Sequence, residues 1–155
     1  MNEEICLPQL QVLNKLTFFK KKSILLLNSI RTVLTLIHNN SCSKSNCLHD
    51  YLIIQNISFK LRDYLVTPLS ADELRKLIQQ LKTTTNDFEI SSLVRKSDVA
   101  FLPYAGLDLQ IETEVVRLLS ERPELLQRPI LTMGDKAVIG RPFEVALEFL
   151  KAELG

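Results

Sequence analysis

A short apolar run, Val33-Leu34-Thr35-Leu36-Ile37, stops abruptly in the polar tract His38-Asn39-Asn40-Ser41-Cys42-Ser43-Lys44-Ser45. An amphipathic stretch carrying Leu48, Leu52 and Ile53 follows. The run has the length and composition of a buried strand, and the stretch after the turn reads as a helix from about Ser43 to Asn56, with those three side chains on its buried face. A strand that feeds through a tight polar turn into a helix restricts the chain to layered α/β architectures. It also fixes a chemical environment. The first N–H groups of a helix have no intrahelical partner, and with the helix dipole they attract anions. A cysteine held at that position has its thiolate, the nucleophilic form, stabilised. Cys42 is therefore the first candidate catalytic residue.

At 155 residues the chain suffices for one domain with a single buried core. Hydrophobic residues make up 46% and charged residues 24%, a globular composition. Net charge is +1, and Lys20-Lys21-Lys22 is the one dense basic cluster. That is too little for a nucleic-acid footprint. Three cysteines, an odd number, do not form the framework of a secreted disulfide-rich domain, so a reducing, cytoplasmic compartment is expected. Residues 1–31 stand apart. Ser23-Ile24-Leu25-Leu26-Leu27 after the lysines has a faint signal-peptide look, but Asn28 and Arg31 interrupt it. It is also far too short to span a bilayer and has no small-residue cleavage site. Leu10, Leu13, Leu16, Phe18 and Phe19 suit a short amphipathic helix, so this segment is expected to be an accessory helix or a poorly ordered extension, without membrane contact.

Further along, Phe59, Leu61 and Tyr64-Leu65 alternate with Lys60, Arg62 and Asp63 and read as a second strand. Ser70 and Glu73 have capping-box spacing ahead of Leu74, Leu77, Ile78 and Leu81, which predicts a well-defined helix. Residues 83–87 read as loop, Phe88 to Arg95 as a short helix, and Ile111 to Leu119 as an amphipathic helix. Pro129 to Met133 and Ala137 to Ile139 flank Gly134-Asp135-Lys136 as a hairpin. Gly140-Arg141-Pro142 opens a last helix lined by Phe143, Val145, Ala146, Phe149 and Leu150. The order is β-α-β, then helices over about 70–126, then β-β-α. It predicts an α/β fold with a mixed sheet on a thioredoxin-like core and an inserted helical subdomain, one domain spanning 32–155.

Several separated blocks, in this order, resemble the ArsC-type, glutaredoxin-coupled arsenate reductase family, which is related to the Spx regulators. They are His38-Asn39-x-x-Cys42-x-x-Ser45; Tyr64-Leu65 with Pro68 and Asp72-Glu73-Leu74; Leu93-Val94-Arg95-Lys96; Gln127-Arg128-Pro129-Ile130; and Gly140-Arg141-Pro142-x-Glu144. The resemblance covers about Thr32 to Leu150. It implies that Cys42 attacks arsenate and that Arg95, Arg128 and Arg141 bind the oxyanion, with Ser43 and Ser45 contributing to substrate binding. It further implies that His38 tunes the loop and that Pro129 is a cis-proline shaping the site. Glutathione and a glutaredoxin would complete the reduction as co-substrate and partner, with no bound cofactor or metal, in a monomer. The chain departs from the family loop at Asn40, where the family has Pro, and at Asn46, where it has Arg.

Reduction of As(V) requires an ionised sulfur at neutral pH and enough positive charge to hold an anion beside it. Guanidinium groups, planar and always charged, suit that role. Cys47, five positions after Cys42 and about 140° further round a helix, points away from it unless Cys42 lies outside the helix, and reads as a packing residue. Two other functions fit the same pattern. One is an Spx-like redox-responsive regulator that binds RNA polymerase, although its switch uses Cys-x-x-Cys and the second position here is Ser45. The other is a thiol oxidoreductase of the same fold with a different substrate.

Overall fold

The computed structural model describes residues 33–155, so the expectations for residues 1–31 lie outside it. Four strands and four α-helices follow one another as β1 (Thr35–His38), α1 (Ser43–Ile54), β2 (Lys60–Asp63), α2 (Ala71–Thr84), α3 (Glu112–Glu121), β3 (Ile130–Met133), β4 (Lys136–Ile139) and α4 (Phe143–Leu154). Short 3-10 helices occupy Ile90–Leu93, Val99–Tyr104 and Pro123–Leu125. The sheet order is β2-β1-β3-β4. β1 runs parallel to β2, while β3 is antiparallel to both β1 and β4. The α-helices α2 and α3 and all three 3-10 helices fall between β2 and β3. Among the described residues no helix is long and apolar enough to cross a membrane.

Strand alternation divides the core between the two faces of the sheet. Leu36, Leu131 and Val138 project to one face, where Leu48 and Leu52 of α1 and Ala146, Phe149 and Leu150 of α4 cover them. Their neighbours Ile37, Ile130 and Ala137 project to the other face, against Leu74, Leu77, Ile78 and Leu81 of α2 and Val115, Val116, Leu118 and Leu119 of α3. A sheet covered on both faces needs apolar residues at successive strand positions, and this is why β1 reads as a continuous apolar run. The edge strand β2 is different. Leu61 is 45% exposed, and charged Lys60, Arg62 and Asp63 protect the open edge from further pairing.

Local chemistry sets the boundaries. Ser70 and Glu73 close a reciprocal capping box at the start of α2. Asn56, at φ 57°, ends α1 in the left-handed conformation. The Ile57 N–H then bonds the Leu52 carbonyl and the Asn56 N–H that of Ile53, each at 2.9 Å, a Schellman closure. Gly134, at φ 62°, makes the two-residue β3–β4 turn.

Three sequence expectations are corrected. Ile53 is 56% exposed, because one residue beyond Leu52 turns it about 100° off the buried stripe. The helix expected over Phe88 to Arg95 is a single 3-10 turn, Ile90–Leu93. The second strand stops at Asp63, so Tyr64 and Leu65 belong to the turn after it.

Candidate active site

Strand directions bring distant segments to one end of the sheet. β1 and β2 end there, at His38 and Asp63, which are register partners. β3 begins there, after Arg128-Pro129, and β4 ends there, before Gly140-Arg141. The Arg128–Pro129 and Arg141–Pro142 peptides are both cis. Arg95 reaches the same end through a bridge between Val94 and Leu126. The Arg95 N–H bonds the Leu125 carbonyl and the Gln127 N–H bonds that of Leu93, both at 2.8 Å.

Cys42 is the residue before the first turn of α1, in extended conformation, and is 9% exposed. Burial by itself raises its pKa. The backbone N–H of Ser45, the Arg128 side chain, the backbone N–H of Lys44 and the Ser45 side chain together outweigh burial, lowering the thiol from 9.0 to about 7. The helix end acts through the backbone N–H groups of its first turn. A shift of that size corresponds to about 3 kcal/mol of preferential stabilisation of the thiolate. Half of the thiol is thus ionised near neutrality. Cys42 is a free cysteine, whereas Cys47, half-buried on α1, is not free.

The arginines are unequal. Arg141 donates to the sulfur at 3.6 Å and, from Nε, to the Arg128 carbonyl at 2.8 Å. Arg128 is 7% exposed. Its Nη1 donates to the Glu124 and Leu126 carbonyls at 3.0 and 3.3 Å, and its buried Nε has no partner. Arg95 stands further out, ion-paired with Asp98 at 2.6 Å. The Tyr64 hydroxyl feels the charge of Arg95, together with those of Arg128 and Cys42. Ser45 is buried with its Oγ lacking a regular hydrogen bond, and it faces the sulfur. Ser43 is exposed on the first turn of α1.

The loop is held by its own polar side chains. The Cys42 N–H bonds the Asn39 carbonyl at 3.0 Å, and the Ser41 N–H bonds Asn39 Oδ1 at 2.8 Å. Asn46 donates to the Asn40 carbonyl at 3.0 Å, and Asn40 donates to Asp63 at 3.1 Å. The two positions that depart from the family loop are therefore built into its support. His38, 2% exposed, bonds Asn40 Oδ1 from Nε2 at 2.8 Å and lies 5.3 Å from the His49 ring. Burial is the main cause of its lowered pKa. Its link to the sulfur runs through the loop. Sequence reasoning missed Tyr64 as a site residue. The signals were its place in the Tyr64-Leu65 block of the resemblance and directly after an edge strand, but alternation absorbed it into the strand.

A groove of about 450 Å³, lined by Thr83 and Thr84 of α2, by Thr85 after it, and by β4 and α4, lies at the opposite end of the sheet. The Lys136–Glu153 pair, Glu148 and threonines supply its polar groups, and it contains no cysteine.

Fold and site together define a thioredoxin-like protein with one activated cysteine at a helix N-terminus. The chain belongs to the ArsC family, whose profile matches residues 37–149. It is 34% identical over 115 residues to the arsenate reductase of Haemophilus influenzae, covering 73% of this chain and 95% of that protein. It is 27% identical to the global transcriptional regulator Spx of Streptococcus mutans, covering 70% and 76% respectively. The structure of arsenate reductase from Vibrio cholerae superimposes with a TM-score of 0.65 at 29% identity, covering 76% of this chain and 97% of that one.

Proposed function

We propose that this chain reduces arsenate to arsenite through Cys42. The observation that carries this reading is a free sulfur with a pKa of about 7 that lies 3.6 Å from one guanidinium and is stabilised by another. Beside it, the buried Arg128 Nε lacks a partner, and the buried Ser45 hydroxyl has none except the sulfur. An oxyanion would satisfy both. The Cys42 thiolate attacks arsenic, one arsenate oxygen leaves as water after protonation, and a Cys–S–As(V) bond forms. Two external thiols, from glutathione and a glutaredoxin, supply two electrons and end as a disulfide, releasing As(III) and restoring Cys42.

The arsenate reductases among the relatives support an oxidoreductase. Ser45 in place of a second cysteine argues against an Spx-type disulfide switch. Purified protein with arsenate, glutathione, glutaredoxin, glutathione reductase and NADPH should consume NADPH in an arsenate-dependent manner, and Cys42→Ser should abolish this. Undiminished turnover by Cys42→Ser would refute the assignment.

A further inference from the structure

The hydroxyl of Tyr64 calls for an explanation that packing does not give. Its ring belongs to the core under α2 and α3 and is 0% exposed, a role phenylalanine would fill equally well. Its oxygen accepts from Asn39 Nδ2 at 3.4 Å. Among the described residues no side chain or carbonyl accepts the hydroxyl proton in return. Asn39 is itself fixed, since its carbonyl receives the Cys42 N–H and its Oδ1 the Ser41 N–H. One buried side chain therefore ties the loop bearing the nucleophile to this hydroxyl. The Tyr64 proton and the Nε of Arg128, whose side chain also helps to hold the thiolate, are two buried donors with no protein acceptor. Such donors are rare in interiors, and two of them at one anion site suit an acceptor-rich ligand.

The geometry points to Tyr64 as a further oxyanion-binding residue: its hydroxyl donates to an arsenate oxygen, and Asn39 is the positioning residue that aims it. This rests on the oxyanion reading above. Burial holds the phenol above its usual pKa, so it stays a neutral donor throughout the pH range in which Cys42 ionises. A neutral donor binds the anion without competing for the thiolate as a counter-ion.

The test compares wild type with Tyr64→Phe in alkylation of Cys42 by iodoacetamide, first across pH without anion and then at rising arsenate concentration. Arsenate should protect wild type. In Tyr64→Phe the arsenate concentration for half-protection should rise about tenfold, the equivalent of one hydrogen bond to a charged group. The anion-free pH midpoint and the melting temperature should not move, as they would if the hydroxyl served only the loop or the core. Equal protection in both proteins overturns the Tyr64 assignment and leaves the oxyanion site standing. So does weaker protection accompanied by a shifted pH midpoint, which would make the hydroxyl a support for the thiol. Absence of protection in wild type overturns both readings. Calorimetric arsenate titration of Cys42→Ser against Cys42→Ser/Tyr64→Phe should give the same tenfold difference with no thiol present.

Discussion

Cys42 owes its reactivity to a contest between burial, which favours the neutral thiol, and the donors around it, which favour the thiolate and prevail. Its alkylation rate should rise with a midpoint near pH 7. A midpoint near 9 would mean that the helix end and Arg128 exert no net effect. The same shift links stability to pH. Because the folded-state pKa, about 7, lies below the ordinary 9.0, the unfolded chain holds the extra proton between those values. The thiol's contribution is full above about pH 9, shrinks as pH falls, and is absent below about 7. Urea denaturation should therefore show wild type gaining on Cys42→Ser between pH 7 and 9. The arginines should rank by proximity to the sulfur. Arg128→Ala and Arg141→Ala should each weaken arsenate binding by about 1–3 kcal/mol. Arg95→Ala, whose charge is already shared with Asp98, should cost less. Equal losses at all three positions in a binding titration would contradict the geometry.

At the scale of elements, the helices draw on different sources of stability. α2 carries a complete capping box, two acidic residues in its first turn and a continuous buried stripe. Ser70→Ala should cost about 1 kcal/mol in denaturant unfolding without altering Cys42 alkylation, since the Ser70 hydroxyl serves only the Glu73 N–H. α1 has neither acidic residues in its first turn nor basic ones in its last. Its N-terminus is left open toward the sulfur, and the loop before it is held by Asn39, Asn40 and Asn46. Asn46→Ala removes a bond between α1 and the loop. Its effect should be confined to the site, seen as a raised Cys42 midpoint with a nearly unchanged melting temperature. A large loss of stability with an unchanged midpoint would show that the bond serves the fold instead.

For the whole molecule, Gly140 is where the site meets the layer formed by α1 and α4. A β-carbon there would stand 3.2 Å from Leu48 of α1, 3.3 Å from the Pro129 ring and 3.4 Å from Ala146 of α4. All three neighbours are buried, so none gives way cheaply. Gly140→Ala should destabilise the protein by about 1–3 kcal/mol and reduce arsenate turnover as well, because it presses on the segment that carries Arg128. Unchanged denaturation and unchanged turnover would mean that this layer is looser than the packing implies.

Much of this was fixed by local chemistry that a sequence displays directly. The apolar run ending at His38, the capping box at Ser70, the turn at Gly134 and the apolar stripes of α2 and α3 are short-range patterns, and each governs an element on its own. Cys42 was legible for the same reason: a thiol at a strand-to-helix turn has its environment set by its immediate neighbours. What the tertiary structure alone decided were the relations across the chain. Leu61 became exposed because β2 lies at the edge of the sheet, a fact of strand order. Tyr64 entered the site because the turn after β2 packs beside the loop after β1. Arg95 took a weaker place than Arg128 and Arg141 because Asp98 folds back onto it. Distances between residues 99 positions apart, as for Cys42 and Arg141, depend on how whole layers pack, and no local pattern encodes them.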